Sequence, residues 1–597
     1  MYKLYKHREK LTVLTIIIIF YLYNLNRIEY GLPFFINLDE SEFQYSSLSY
    51  LSFITGYKGD LIEAIYAPLI NVILILIHIF FNEFILNSLN IQEIISKIYF
   101  NPELFIMYGR LASLTVTSLS IFLLYLIFKK LKISLYLYSL ILVSFTTSLY
   151  SFDVSTINGK NSYYLFFFLF QLYFFLKYLL KTNKFNFKSY IIFGFLGSLA
   201  WGVNYWPAIV SFYAVFILHF KKFKFQHLNY LLTFLIIFFI FGPILNLIVS
   251  NHDILRYFDF NEKSYQFQIS VFINNLVVKF FDGLNILFNS EKNILLLLIF
   301  FPIYLFKKNT NYKKEFLIIS LLIFEPILIF ALAEHLVIEL RYLGGSICVI
   351  IILTALIFNE LSKTNLKYLG LIFIIFNFYI IFNNINVNNK INNVISKKHS
   401  FYEFNKDIND NSSKILYLVN LGFQESLKQN QLYIELYEKD NLIKKNMMQK
   451  EFIKIIKNKI KKINNTKNII INDSEIKEKI TYLNYTHLLI DDFQLFFDFI
   501  KEDFDYVVIE ESMPFYLTNH DSHKKIKKYV QNNFLLEKRQ FKENKIFFRS
   551  LRSIINYYNN TLSDYDFRND YNFKENMDNA ALEKIYGSNY ALYNLNE

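Results

Sequence analysis

The chain is poor in the residues on which disulfide-bonded, zinc-binding and loop-rich proteins depend. It contains 1 cysteine, 15 glycines and 8 prolines in 597 residues. The single cysteine, Cys348, excludes an intrachain disulfide and any zinc site built from several thiolates. No glycine-rich phosphate loop occurs in the sequence. Function must therefore be sought in other residue types.

Apolar residues are abundant and unevenly distributed. They make up 54% of the chain, with 67 Phe and 46 Tyr. A helix needs about 20 apolar residues to cross a bilayer, and runs approaching this length fill residues 1–382 but not residues 383–597. The sequence predicts a mostly α, polytopic membrane helix bundle at 1–382. A linker at 383–412, a soluble α/β domain at 413–552 and a polar tail at 553–597 would follow.

Positive charge lies mainly in short loops between the apolar runs. This placement of the net charge of +12 is typical of cytoplasmic loops of membrane proteins and argues against a nucleic-acid partner. The basic N-terminus predicts an uncleaved, cytoplasmic start in a bacterial inner membrane. Run 69–81 is predicted to be an interfacial or re-entrant helix in a long outer loop, 26–105, because a crossing there would move every later lysine cluster outside. Eleven crossings are then predicted, and this odd number puts the C-terminal domain outside. They lie at 11–25, 106–128, 134–150, 162–180, 189–202, 204–220, 229–250, 292–306, 316–333, 343–359 and 366–382.

Arginine is segregated from lysine in the membrane part. Beyond Arg8, its arginines are Arg27, Arg110, Arg256 and Arg341, and all four fall on the predicted outer side. The planar guanidinium suits phosphate and carboxylate groups, so the set indicates an outer anion site. Ordinary anchoring at the membrane interface is the alternative explanation for each arginine taken singly.

One outer-loop stretch carries a family resemblance. Gly31-Leu-Pro-Phe-Phe-Ile-Asn-Leu-Asp39-Glu40 follows the first span, and Tyr66-Ala-Pro68 and Gly109-Arg110-Leu111 come later. Arg341-Tyr342 precedes a further span. This order resembles the GT-C superfamily of membrane glycosyltransferases, in the branch of protein O-mannosyltransferases and aminoarabinose transferases. The chain departs from the family pattern at Ala67-Pro68 and at Gly344-Gly345, where the family has further prolines.

The resemblance implies an inverting glycosyltransferase that uses a polyprenyl-phosphate sugar donor at the outer face. Asp39 would be the general base that deprotonates an acceptor hydroxyl on a glycan, lipid or protein. Glu40 would bind a metal, orient the acceptor or share the role of base. Helix capping by Asp39 is the structural alternative. The lipid phosphate would contact basic residues, namely Arg110, Arg341, Arg256 and Lys160.

Further polar residues are candidates for substrate contacts or for a divalent cation, which some members of this branch use. They are Glu63, Tyr66, Asp153, His252, Glu334, His335 and Tyr342. Glu325 is the one carboxylate predicted deep within a span, where an ionisable side chain is a functional candidate or, next to Pro326, a structural element.

The C-terminal part alternates short apolar runs with helical stretches, which is typical of an α/β domain. Strands are predicted at 415–419, 468–471, 487–490 and 506–510, and a hairpin at 534–541 and 545–549. Helices are predicted at 424–437, 448–462, 491–502 and 521–532.

Three other functions remain open. A flippase or transporter would show inverted repeats and polar residues in mid-span. A glycan polymerase or ligase would share the outer arginines. A structural or sensory protein would not explain the segregation of arginine. The sequence does not identify the sugar or the acceptor.

Overall fold

The protein is described from a computed structural model, and it is mostly helical. The structure describes residues 2–29, 40, 43, 47, 66–90, 102–180, 185–203, 207–246, 269–306, 312–326, 340–363, 368–394, 415–418, 480–483, 494, 497–498, 501, 505–512, 521–539 and 589–596.

The helices follow one another closely along the first two thirds of the chain. They are α1 (Tyr2–Leu25), α2 (Tyr66–Ile79), α3 (Pro102–Lys130), α4 (Leu135–Thr146), α5 (Leu149–Thr156), α6 (Lys160–Leu179), α7 (Phe187–Trp201), α8 (Ala208–Lys222), α9 (Leu228–Phe239), α10 (Ile269–Ser290), α11 (Asn293–Phe306), α12 (Lys313–Ser320), α13 (Gly344–Ser362) and α14 (Tyr368–Val394). Helix α2 continues as a π-helix at Phe80–Leu86, and α9 as one at Ile240–Ile244. Short 3-10 helices lie at Leu321–Phe324 and Leu340–Tyr342.

Five of the described helices are long and apolar enough to cross a membrane, or up to seven if each of two bent pairs forms one span. They are Tyr66–Leu86, Ile106–Lys130, Lys160–Leu179, Gly344–Ser362 and Tyr368–Asn392. The bent pairs are α4 with α5, at 59°, and the last part of α10 with α11, at 107°. Every 18-residue window of α1 contains Arg8, Glu9 and Lys10, so only its 15-residue apolar part can enter the hydrocarbon.

Helices are present in all eleven segments for which the sequence predicts a crossing, but several are short or broken. The predicted span 134–150 is divided between α4 and α5, and 316–333 begins as α12 and becomes a 3-10 helix after Ser320. These findings support a membrane protein with a helical bundle. The number of crossings and the side on which each loop lies stay predictions.

Helix α13 lies at the centre of the bundle. Its sequence is apolar on all sides, as expected of a helix with no exposed face, and its apolar window is entirely buried. It packs on α4, α6, α11 and α14. A Cβ on Gly344 would overlap the Tyr150 hydroxyl, and one on Gly345 would lie 2.6 Å from the Phe168 ring. The paired glycines therefore let α13 begin in contact with α5 and α6.

Helix α2 packs against α3 and α6. Its Asn71 accepts a bond from Tyr163 at the start of α6, and its His78 contacts Thr115. Near its end Glu83 accepts a 2.5 Å bond from Tyr108, two turns earlier on α3 than Thr115. From His78 to Glu83, α2 therefore follows α3 from Thr115 back to Tyr108. By length and composition α2 is one of the candidate spans, and the interfacial or re-entrant position of 69–81 stays a prediction.

The described C-terminal residues form a five-stranded sheet with strand order β2-β1-β3-β5-β4. The strands are β1 (Ile415–Leu418), β2 (Ile480–Leu483), β3 (Tyr506–Ser512), β4 (Leu535–Arg539) and β5 (Asn589–Asn594), with helix α15 (Asp521–Asn533) before β4. Strand β1 is parallel to β2 and β3, and β5 is antiparallel to β3 and β4.

The sheet agrees with part of the predicted α/β domain. Strands β1 and β3 and helix α15 lie where they were predicted. The described second strand lies at β2 rather than at 468–471 or 487–490, which fall outside the described residues. Strand β4 pairs with β5, from the segment assigned to the polar tail, whereas the predicted partner 545–549 is not among the described residues.

Candidate functional site

Buried charges meet where α1 ends and α3 begins. Arg110 Nε donates to Glu40 Oε1 at 2.7 Å and Arg110 Nη2 to Glu40 Oε2 at 3.0 Å, with both side chains 0% exposed. This two-pronged contact is the strongest form of an arginine–carboxylate pair. We call the region defined by Arg27, Glu40, Arg110, Asp153 and Asn158 the polar end of the bundle.

Backbone groups from two other elements complete this ion pair. Arg110 Nη1 donates to the carbonyl of Ile28, just after α1, at 2.8 Å. Glu40 Oε1 also accepts from the backbone N–H of Asn158, between α5 and α6, at 3.1 Å. A buried charge needs such compensation. The Glu40–Arg110 pair therefore joins α3 to the residues just after α1 and to the α5–α6 turn. In this structure both side chains are engaged inside the protein, so the lipid-phosphate role predicted for Arg110 and the acceptor or metal role predicted for Glu40 remain predictions.

Arg27 is a second buried cation at the polar end. Its guanidinium lies 4.3 Å from the Tyr23 ring centroid and 4.0 Å from that of Phe152, and its Nη1 donates to Asn24 Oδ1 at 2.9 Å. Stacking between two rings holds the guanidinium in a fixed plane. The sequence placed Arg27 among the outer arginines but did not select it as a site residue. The one sequence signal for its contact with the Tyr23 ring is that Arg27 follows Tyr23 by about one helical turn.

Asp153 lies on the same helix as Phe152 and is 1% exposed. The following turn brings Asn158 to Ser113, whose hydroxyl donates to Asn158 Oδ1 at 3.0 Å. Lys160 then begins α6 and is partly exposed. The structure therefore places the predicted residues Asp153 and Lys160 on the elements that adjoin Glu40 and Arg110.

Arg341 and Tyr342 lie in the 3-10 helix just before α13. The Arg341 guanidinium lies over its neighbour's ring, 4.6 Å from the Tyr342 centroid, and both residues are partly exposed. The segment packs against α5, the helix of Asp153. Of the two predicted phosphate-binding arginines that the structure describes, Arg341 is thus the one with an exposed part, and it belongs to a neighbouring element of the polar end.

Glu325 lies beside this region, inside the bundle. It is 4% exposed, and its Oε2 accepts from the Tyr164 hydroxyl at 3.2 Å. Ser346, one turn into α13, donates to the Ile323 carbonyl at 2.7 Å. Glu325 therefore lies at the depth of the first turns of α6 and α13.

Tyr66 has a structural contact at the start of α2. Its hydroxyl donates to the Phe241 carbonyl at 2.7 Å, and the backbone N–H groups of Tyr66 and Ala67 both donate to the Gly202 carbonyl. The Tyr66 ring lies where a Cβ on residue 202 would be. These contacts attach α2 to α7 and to the π-helix after α9, and the predicted substrate role of Tyr66 stays a prediction.

Several predicted site residues lie outside the described residues. They are Asp39, Glu63, His252, Arg256, Glu334 and His335. Among the residues that the structure does describe, no group of three or more His, Cys, Asp or Glu side chains is placed to hold a metal ion.

Comparison with known proteins adds no relative. No protein-family model, no curated protein and no solved structure matches this chain.

Proposed function

We propose that the chain is an inverting membrane glycosyltransferase that moves a sugar from a polyprenyl phosphate to an acceptor hydroxyl. The polar end of the bundle would be the outer face of a bacterial inner membrane. The proposal rests on the GT-C-like order of residues and on one structural observation. That observation is the attachment of Glu40, the residue after the proposed base Asp39, to Arg110 on α3 and to the α5–α6 turn, with Arg110 in turn bonded to the end of α1.

Glu40 then acts by positioning its neighbour. A buried two-pronged contact with Arg110 fixes the Glu40 side chain. Asp39 would therefore be kept at the edge of the polar end, next to elements that carry Asp153, Lys160 and Arg341. Positioning of this kind supplies much of the catalysis when the leaving group is already good.

The proposed reaction is a single displacement. The acceptor oxygen forms a bond to the anomeric carbon as the bond between that carbon and the phosphate oxygen breaks. Asp39 takes the acceptor proton, and the departing lipid phosphate retains the bonding electron pair. Arg341 and Arg256, with Lys160, would stabilise the phosphate charge. No step in this scheme requires a metal, although a divalent cation remains compatible with it.

The lipid chain of the donor needs an apolar surface near this end. The face of α2 that points away from the bundle carries such a surface, with exposed side chains that include Leu76, Phe80, Phe81 and Phe84. Bilayer lipid would cover this face, and a polyprenyl chain has the same chemistry as the lipid tails.

The test is glycan and glycoprotein profiling of membranes from three strains in the native host: a strain lacking the chain, a strain with Asp39→Asn and a strain with Asp60→Asn. Asp60 is the matched control because it is an aspartate of the same loop with no proposed role. We expect the first two strains to lose the same glycan decoration, with Asp39→Asn protein at normal abundance, and Asp60→Asn to keep it. An unchanged profile in the strain lacking the chain would refute the function. A loss there but not in Asp39→Asn would remove only Asp39.

Transport of a lipid-linked sugar is the second candidate, favoured by the sharp bend between α10 and α11 and by Glu325 in the bundle interior. Broken helices with polar residues are common in transporters. Oxidation of sugars by membrane-impermeant periodate in intact spheroplasts separates the two. Lipid-linked sugar that accumulates without the chain should be oxidised if transfer is blocked, because it then lies on the outer leaflet, and protected if transport is blocked.

A further inference from the structure

A polar group interrupts the bundle between α10 and α11. Helix α10 ends at Ser290, α11 begins at Asn293, and the two axes differ by 107°. The sequence assigned residue 291 to an outer loop. The structure places this break in the interior, because the Thr354 hydroxyl, eleven residues into α13, lies 3.4 Å from the Asn293 carbonyl oxygen.

Glu291 and Asn293 contact each other at this break. Glu291 is 3% exposed and Asn293 0% exposed. Glu291 Oε1 accepts from the backbone N–H of Asn293 at 3.0 Å and from its Nδ2 at 2.8 Å. Asn293 Oδ1, in contrast, is buried and has no hydrogen-bond partner within the part of the chain that the structure describes. A buried amide oxygen without a donor is uncommon and calls for a missing partner.

The chemistry of the pair identifies that partner. A carboxylate is an acceptor only, whereas a carboxylic acid has one O–H donor. An amide and a carboxylic acid can form two bonds side by side: the amide N–H donates to one acid oxygen, and the acid O–H donates to the amide oxygen. The first of these two bonds is present here. We propose that Glu291 binds a proton, which it shares with Asn293 Oδ1, and that the α10–α11 break is thus a proton-binding site in the bundle interior.

The surroundings favour a proton over the ionised form. Lys292 is the nearest cation in sequence, but its Nζ donates to the Phe288 carbonyl at 2.9 Å and so caps the end of α10. No described basic side chain forms an ion pair with Glu291. The titratable group of α13 near Glu291 is Cys348, a thiol inside the central helix. An ionised carboxylate would therefore be buried without a paired cation, which is strongly unfavourable.

The site does not depend on the proposed glycosyl transfer. It lies on other helices than Glu40 and Arg110, and it would also serve a transporter that couples protons to movement. Loss of this proton would remove the bond to Asn293 Oδ1 and so change the stability of the α10–α11 break. The position of α10 would then respond to proton binding.

Infrared difference spectroscopy of the purified full chain at about pH 6, where an ordinary glutamate is still ionised, tests the proposal. The comparison is wild type with Glu291→Gln, a variant whose side-chain amide can both accept from Asn293 Nδ2 and donate to Oδ1, so that the fold is retained. We expect the wild-type minus variant spectrum to contain the carbonyl band of one protonated carboxyl group, with a shift in D₂O. A difference spectrum that contains the bands of an ionised carboxylate instead would overturn the proposal.

Asn293→Leu tests the pairing separately. Loss of the amide acceptor should move the Glu291 carboxyl band to higher wavenumber, because a carboxylic acid with fewer hydrogen bonds has a stiffer carbonyl bond. Asn289→Leu is the matched control, because Asn289 is a partly exposed asparagine at the end of α10 that donates to Asn285 and not to Glu291. The band should not move in this variant. An equal effect of both substitutions, or no shift with Asn293→Leu, would refute the contact with Asn293.

Discussion

At the scale of single residues, Gly344 makes a contact that no larger residue permits. The Tyr150 hydroxyl occupies the space next to its Cα, so a methyl group at this position must displace the ring. Overpacking of an interior typically costs about 1–3 kcal/mol. We expect Gly344→Ala to lower the thermal unfolding midpoint of the purified chain in detergent.

Gly370→Ala is the control for this prediction. Gly370 is also near the start of a helix, α14, but a Cβ there would have no atom within 4 Å. Alanine favours a helix over glycine by about 1 kcal/mol, so this variant should unfold at the same temperature as wild type or higher. Partial recovery of Gly344→Ala by Tyr150→Phe would identify the hydroxyl as the obstacle, and equal midpoints for Gly344→Ala and Gly370→Ala would contradict the predicted clash.

Residue types were easier to predict than residue partners. The sequence predicted that Arg110 and Glu40 are both site residues. They are 70 positions apart, and only the fold brings them together. Arg110 was predicted to bind phosphate from its charge and its position in the sequence. Its ion pair with Glu40 is not visible in the sequence. Similarly, Glu291 was assigned to a loop because the apolar run begins after it, and only the contact with α13 places it in the interior.

At the scale of elements, the position of α2 relative to the membrane decides the topology. Its first residues join α7 through the contact of Tyr66 with Gly202, and Glu83 near its end accepts a bond from Tyr108 on α3. If both contacts lie at one membrane surface, the exposed apolar side chains of α2 would lie in the upper part of the bilayer, as in other interfacial helices. A helix that crosses the bilayer would have its two ends at opposite surfaces.

Spin labels on α2 measure this direction. Ile73 and Ile85 are both about half-exposed, and single cysteines can replace them in a Cys348→Ala background. If α2 lies across the bundle end, labels at the two positions should have nearly equal depths in proteoliposomes, as determined from relaxation by oxygen and by a water-soluble nickel complex. Depths that differ by about 18 Å, the length of twelve helical residues, would show that α2 crosses.

Helices were predicted more accurately than strands for a physical reason. Long apolar runs signal a membrane helix within one segment of sequence, so the helices coincide with the predicted spans. A strand needs partners from elsewhere in the chain. Strand β5 lies in a polar-rich tail and is fixed between β3 and β4 by pairing across 52 or more residues, which local sequence does not reveal.

At the scale of the whole molecule, the positions of the lysines predict which parts share a side of the membrane. Residues 6 and 188 should both be cytoplasmic if α2 does not cross. Four predicted crossings, by α1, α3, the α4–α5 pair and α6, then separate them, and an even number returns the chain to the same side. Seven further predicted crossings separate Lys188 from the C-terminal sheet. An odd number puts the two on opposite sides.

Three single-cysteine variants in the Cys348→Ala background test this arrangement: Lys6→Cys, Lys188→Cys and Lys525→Cys. Lys188 is exposed at the start of α7 and Lys525 is exposed on α15. A membrane-impermeant maleimide should label only Lys525→Cys in spheroplasts and all three variants after permeabilisation. Labelling of Lys188→Cys instead of Lys525→Cys would mean that α2 crosses. Protection of both would mean that the lysine pattern gives the wrong number of later crossings. The α10–α11 pair would then be the first candidate for a re-entrant segment, because its two helices meet at 107°.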